Sequence, residues 1–215
     1  MSEPLPIAVL VSGTGTNLQA LLETVHGHEA QVVAVASGAP GAPALERASA
    51  GGVQTAVFER SHHANREARD LAMADWLEDQ GVRLVVLAGY MELLTFAFLE
   101  RFPGAVINVH PSLLPAFPGL HAIEQALTYG VKLFGVTVHF VDAGVDSGAI
   151  ILQQAIELPQ AREPDEVLAA LRPIEHALLP EAVRLFARGA LSVDPQNPRR
   201  ILYASGPPSG DSGKD

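Results

Sequence analysis

The sequence predicts an α/β protein: a mostly parallel twisted sheet with helices on both faces, and antiparallel strands in its C-terminal half. Three observations carry that prediction. From Ile7 to His110, apolar runs of strand length alternate with stretches of helical period, the pattern of a parallel sheet with crossover helices. The first run ends in a glycine-rich turn, "SGTGTN" (residues 12–17), that opens a helix. Beyond residue 133, two apolar runs follow each other across a short polar loop, which suits an antiparallel pair or a tight functional loop rather than a helical crossover.

Taken in order, "IAVLVSG" (residues 7–13) is an almost unbroken apolar run, as expected of a strand buried on both faces. "TNLQALLETVHG" (16–27) has helical spacing and a closing glycine. "QVVAVASG" (31–38) reads as a second strand, "APALERASAGG" (42–52) as a short helix with a glycine stop, and "VQTAVF" (53–58) as a third strand. "ANREARDLAMADWLEDQG" (64–81) places Leu71, Ala74 and Leu77 on one helical face and ends at Gly81. "VRLVVLAG" (82–89), a short helix over 96–102 and "AVINVH" (105–110) complete a Rossmann-like N-terminal half. "FGVTVHFV" (134–141) then alternates, with Val136, Val138 and Phe140 opposite Thr137, His139 and Val141, and "GAIILQQAIEL" (148–158) follows. Residues 164–189 are helical in period, but Pro173 and Pro180 should kink or split them, with a break just before Glu175. Residues 1–203 are expected to form a single domain, and the Gly/Ser/Pro-rich stretch 204–215 a disordered tail.

A composition of 48% hydrophobic and 18% charged residues suits a folded globule. The chain has no cysteine, which rules out disulfide and thiolate chemistry. The N-terminal apolar run has no basic region before it and is too short for a signal peptide or membrane span, so a cytoplasmic protein is expected. A net charge of −10 opposes nucleic-acid and anionic-membrane binding, and an anionic substrate would have to be held by local donors.

The "SGTGTN" turn brings free backbone N–H groups and the helix dipole to one place, where they favour a phosphate. Gly13 and Gly15 permit close backbone approach, but Leu18 stands where a dinucleotide fingerprint has its third glycine. No acidic residue closes the second strand, so a monophosphate fits better than a dinucleotide. The plainer alternative is a tight turn capped by Thr16 or Asn17.

Asn108 and His110 are two residues apart on the fifth strand and share a face at its carboxyl end, where open parallel sheets bind ligands. An amide and an imidazole so placed can both donate to one oxygen, which suits an oxyanion. Pro111, Pro115 and Pro118 stiffen the loop that follows. Asp146, in "DAGVDSGAII" (142–151), is a candidate partner for His110, because a nearby carboxylate favours the imidazolium. Against these readings stand a buried polar pair tied to backbone and a plain Asp/Gly turn. His62 and His63 read as a solvated helix entry, and His139 as either structural or a supporting residue. No HExxH, Cys-His set or carboxylate cluster occurs, so no metal is expected.

The stretches "SGTGTNLQAL", "VVLAGYMELL", "INVHPSLLPAFPGLHA", "GVTVHFVDAGVDSGAIILQ" and "IEHALLP" together resemble the phosphoribosylglycinamide formyltransferase family, from Ile7 to about Leu191. The resemblance implies transfer of a formyl group from N10-formyltetrahydrofolate, as co-substrate, to the primary amine of glycinamide ribonucleotide in purine biosynthesis. It implies that Asn108 and protonated His110 stabilise the tetrahedral oxyanion, with Asp146 holding His110 protonated and taking the amine proton through a water. It further implies that Gly15, Thr16 and Asn17 meet the nucleotide, with Arg172, Pro173, Ile174 and Glu175 on the same side. Met91, Glu92, Leu93 and Leu94, together with Asp142, Ala143, Gly144, Val145, Asp146 and Asn108, would line the folate pocket, with Arg66 near the benzoylglutamate end. The partners implied are these small molecules, with no nucleic acid and no membrane, for a monomer or homodimer.

The chain departs from the family at Glu92, where a basic residue is frequent, and at "AIE" (122–124), where a basic, histidine-rich stretch is frequent. Glu92 would not attract an anionic polyglutamate tail. Methionyl-tRNA formyltransferases share the Asn-His-Asp set but carry a further C-terminal domain, and formyltetrahydrofolate hydrolases a further N-terminal one. A nucleotide-binding module without chemistry would explain the glycines and leave Asn108, His110 and Asp146 unaccounted for.

Overall fold

A computed structural model describes residues 3–204. The tail expected from residue 204 therefore lies, apart from Ala204, outside the described residues. The described chain forms nine strands in one sheet, in the order β3-β2-β1-β4-β5-β6-β7-β9-β8. β1 (Leu5–Val11), β2 (Ala30–Ser37), β3 (Gln54–Val57), β4 (Leu84–Leu87) and β5 (Val106–His110) run parallel. β6 (Leu133–Phe140) is antiparallel to β5, and β7 (Ile150–Glu157) antiparallel to β6, as the alternation predicts. The order of winding reverses between β1 and β4, which makes the carboxyl ends of β1, β4 and β5 the crevice where such sheets take ligands.

Helices cover both faces. Along β1, Ile7 and Val9 pack into a core shared with α1 (Thr16–Thr24), α2 (Pro43–Ala50) and α6 (Pro164–Ala187). Ala8 and Leu10 pack into a second core with α3 (Arg66–Asp79) and α4 (Phe96–Arg101). That double burial is why β1 reads as continuously apolar. Asn65 caps α3 by accepting a 2.8 Å hydrogen bond from the Ala68 N–H.

Three features differ from expectation. α6 runs unbroken through Pro173 and Pro180, with no break before Glu175. Each interior proline costs about 3 kcal/mol, but α6 buries Leu171, Ile174, Leu179 and Val183 along one face, each contributing up to about 1.5–3 kcal/mol. Packing therefore outweighs the lost backbone bonds. A helix not expected from the sequence, α5 (Ala122–Tyr129), follows the proline-rich loop and ends at Gly130, which has a left-handed backbone. The chain also continues past α6 into a hairpin, β8 (Leu191–Asp194) and β9 (Asn197–Tyr203), whose polar, proline-containing sequence carries little strand signal. β9 extends the sheet parallel to β7.

Candidate active site

The β5–β6 register builds the site. Asn108 lies opposite His139, and His110 opposite Thr137. Directly opposed residues share a face, so four polar side chains stand together, on the face away from Ile107 and Val109. Asp146 reaches them from the β6–β7 loop, at a φ of 48° that side chains seldom adopt. Its Oδ2 lies 3.4 Å from His110 Nδ1, and its Oδ1 lies 3.5 Å from His139 Nε2 and accepts from Asn108 Nδ2 at 3.5 Å. The Gly119 N–H donates to Oδ2 at 2.7 Å, tying the proline-rich loop to the same carboxylate. The expected His110–Asp146 approach is thus present.

Burial pushes the Asp146 carboxyl up, but the hydrogen bonds from His139 and Gly119 and the charges of His110 and His139 outweigh it, leaving a pKa of about 2. Asp146 is therefore an anion across the physiological range. The second nitrogen of His110, Nε2, lies 2.9 Å from the Phe117 carbonyl oxygen. Both ring nitrogens thus face acceptors, an arrangement that the imidazolium satisfies in full.

His139 is nearly inaccessible and joins the cluster more closely than its strand pattern reveals. Its Nδ1–H donates to the Phe140 carbonyl at 2.8 Å, and its Nε2 lies 3.2 Å from Asn108 Nδ2. Cross-strand register places it there, and one sequence read alone does not give register. His62 ends a 3₁₀ turn (Arg60–His62) and is exposed, as expected of a helix entry.

Two adjoining clefts of about 300 and 170 Å³ open on this cluster and share Tyr90, Glu92, Leu93, Asn108, Val145 and Asp146. Met91 and His110 line the larger; Arg66, Leu94, Asp142, Ala143 and Gly144 line the smaller. Every residue expected around the folate therefore borders one or both of these clefts.

The "SGTGTN" turn lies at the neighbouring strand end. Gly15 holds the N-cap position of α1 with φ 75°, and a Cβ there would fall 2.6 Å from that of Ala44. Neither Thr16 nor Asn17 caps the helix. Asn17 Nδ2 instead donates to Glu175 Oε2 at 2.9 Å, while Asn17 Oδ1 is buried without a partner. Burial raises the pKa of Glu175, against the lowering effects of Asn17 and Arg172. Of its neighbours on α6, Arg172 and Pro173 are exposed and Ile174 is in the core. Among the described residues, no group of three or more His, Asp or Glu side chains is arranged to hold a metal, and no helix is long and apolar enough to cross a membrane.

The sequence pattern of the formyl transferase family matches residues 5–183. The chain belongs to the formyl transferase family. Within this family it is 40% identical over 187 residues to the phosphoribosylglycinamide formyltransferase of Haemophilus influenzae, an alignment covering 86% of this chain and 88% of that one. It is also 40% identical over 194 residues to the trifunctional purine biosynthetic protein adenosine-3 of Drosophila melanogaster, and there spans 14% of the relative's length. Among solved formyl transferase structures, glycinamide ribonucleotide transformylase 1 from Symbiobacterium toebii superimposes with a TM-score of 0.88 at 42% identity, over 94% of this chain and 95% of that one. The phosphoribosylglycinamide formyltransferase of Anaplasma phagocytophilum gives 0.88 at 30% identity, over 96% and 97%.

Proposed function

We propose that this chain transfers the formyl group of N10-formyltetrahydrofolate to the primary amine of glycinamide ribonucleotide, a step of purine biosynthesis. The observation that carries the reading is the convergence of Asn108, His110 and Asp146 on a cleft at the carboxyl ends of β4 and β5.

The amine attacks the formyl carbon, and the carbonyl oxygen gains negative charge. Asn108 Nδ2–H and the His110 imidazolium donate to that oxygen. Nδ1 of His110 faces Asp146 and Nε2 faces the Phe117 carbonyl; the Nε2 contact is exchanged for the substrate oxygen on binding, before charge develops. Asp146 holds the imidazolium and takes the amine proton through a water. The intermediate collapses as that proton is passed back through the water to N10 of the folate, the C–N10 bond breaks, and the deformylated folate leaves as a neutral amine. Donors fixed before the charge appears need little reorganisation, and this is where such sites gain most of their rate. Asp142, Ala143, Gly144, Val145 and Met91 to Leu94 border the folate, largely with backbone groups, and Arg66 approaches its benzoylglutamate end. Gly15, Thr16, Asn17 and Glu175 hold the nucleotide, its phosphate at the α1 N-terminus. The protein works in the cytoplasm on these small molecules, as a single domain, monomeric or dimeric.

Absorbance on mixing the protein with formyltetrahydrofolate, with and without glycinamide ribonucleotide, tests this. Deformylated folate appearing only with the amine supports the transferase. Release without the amine would mean a hydrolase, and phosphate-sensitive binding without release a nucleotide-binding module.

A further inference from the structure

Arg69 is a charged side chain with no solvent exposure at all, one helical turn beyond the cleft-lining Arg66. A guanidinium is kept in such a place only with partners that satisfy it. Its Nε and Nη2 donate to Asp70 Oδ1 at 2.9 and 2.6 Å, and its Nη1 donates to Glu92 Oε2. The other Asp70 oxygen accepts from the Thr95 N–H at 2.7 Å. One ionic cluster therefore grips segment 89–95 twice, through the Glu92 side chain and through the Thr95 backbone. Ser12 Oγ adds a third hold, accepting from the Met91 N–H at 3.0 Å. The Glu92 carboxylate also lies against Gly38, where a Cβ would collide with it. This segment forms a wall of both clefts, and its apolar Met91 and Leu93 are turned outward, 61% and 58% exposed.

We infer that Arg69 is a positioning residue for the formyl donor: through Glu92 and Asp70 it fixes the backbone of segment 89–95 that the folate lies against, and it counters the Glu92 charge at the cleft. The inference rests on the proposed folate site. It gives Glu92 a task inside the wall rather than toward the ligand. A loop fixed before binding loses less freedom on binding, so loosening it weakens folate capture and leaves the chemistry and the nucleotide alone.

Steady-state kinetics on the whole chain test this with Glu92→Ala, Arg69→Met and the double variant, each first shown to be folded by its thermal transition. Glu92→Ala leaves the buried Arg69–Asp70 pair in place and so does not depend on Arg69 being replaceable. The expected result is a KM for formyltetrahydrofolate raised about tenfold in either single variant, with kcat and the KM for glycinamide ribonucleotide within about threefold of wild type. The double variant should be no worse than the worse single one, since both break the same link. An unchanged folate KM in Glu92→Ala, equal rises for both substrates, or effects that multiply in the double variant would overturn the inference. A wild-type protein without transfer activity would instead remove the reading on which it rests.

Discussion

Asn17 at the start of α1 and Glu175 in α6 are joined by a 2.9 Å hydrogen bond across 158 positions of sequence. The bond lies at the proposed nucleotide end of the site, and it binds a carboxylate that burial disfavours in its charged form. A group whose folded pKa is raised stabilises the fold below its unfolded pKa, and this contribution is lost as pH rises through the folded value. Above that value the ionised form of Glu175 costs stability. Glu175→Gln should melt no lower than wild type at neutral pH, while the KM for glycinamide ribonucleotide rises about tenfold, or about 1.4 kcal/mol. Calorimetry and kinetics on the same preparation check both halves; a lowered melting temperature with unchanged KM would count against the role.

Asn108→Ala removes the amide proposed to donate to the developing oxyanion. Such losses cost about 2.7–4 kcal/mol, roughly a hundred- to a thousandfold in kcat. Turnover measured at saturating concentrations of both substrates decides; a near-normal kcat would contradict the role.

Asp146 gives an acid signature of the opposite sign to Glu175. Its pKa lies near 2 rather than at the ordinary 3.8, so it stabilises the fold above about pH 4, and this contribution is lost as pH falls through about 2. The difference corresponds to about 2 kcal/mol. Denaturant unfolding of wild type and Asp146→Asn should show a stability gap at neutral pH that narrows only below about pH 4. A gap that closed well above pH 4 would contradict the assignment to Asp146. Activity of the variant should be low throughout.

The charged side chains lining the smaller cleft, where the folate tail is proposed to lie, are Arg66, Glu92, Asp142 and Asp146, which offer an anion no net attraction. Affinity should therefore change little as glutamates are added to the folate tail. Fluorescence titration with mono-, tri- and pentaglutamyl folates measures this, and a steep rise with each residue would show an anion-binding surface that these four charges do not supply.

The parallel half of the sheet is legible in the sequence because strands such as β1, covered on both faces, are apolar without interruption. Asn108 and His110 are legible as a pair because strand periodicity puts them on one face. What is not legible depends on tertiary contact. Asp146 is named by the sequence as a candidate, but its contact with His110 is made from a loop whose path spacing does not fix; His139 arrives through cross-strand register, and Arg69 is concealed near the start of a charged helix. The unbroken α6 follows the same logic, since local proline chemistry argues for a break and the apolar face it buries prevents one.

A crystal structure of the protein with glycinamide ribonucleotide and a folate analogue bearing a stable acyl group at the formyl position tests the proposed chemistry. The acyl oxygen should lie within hydrogen-bond reach of Asn108 Nδ2 and an imidazole nitrogen of His110, with Asp146 still against the ring and the nucleotide amine facing the acyl carbon. An acyl group bound elsewhere, with those three side chains unengaged, would contradict the mechanism.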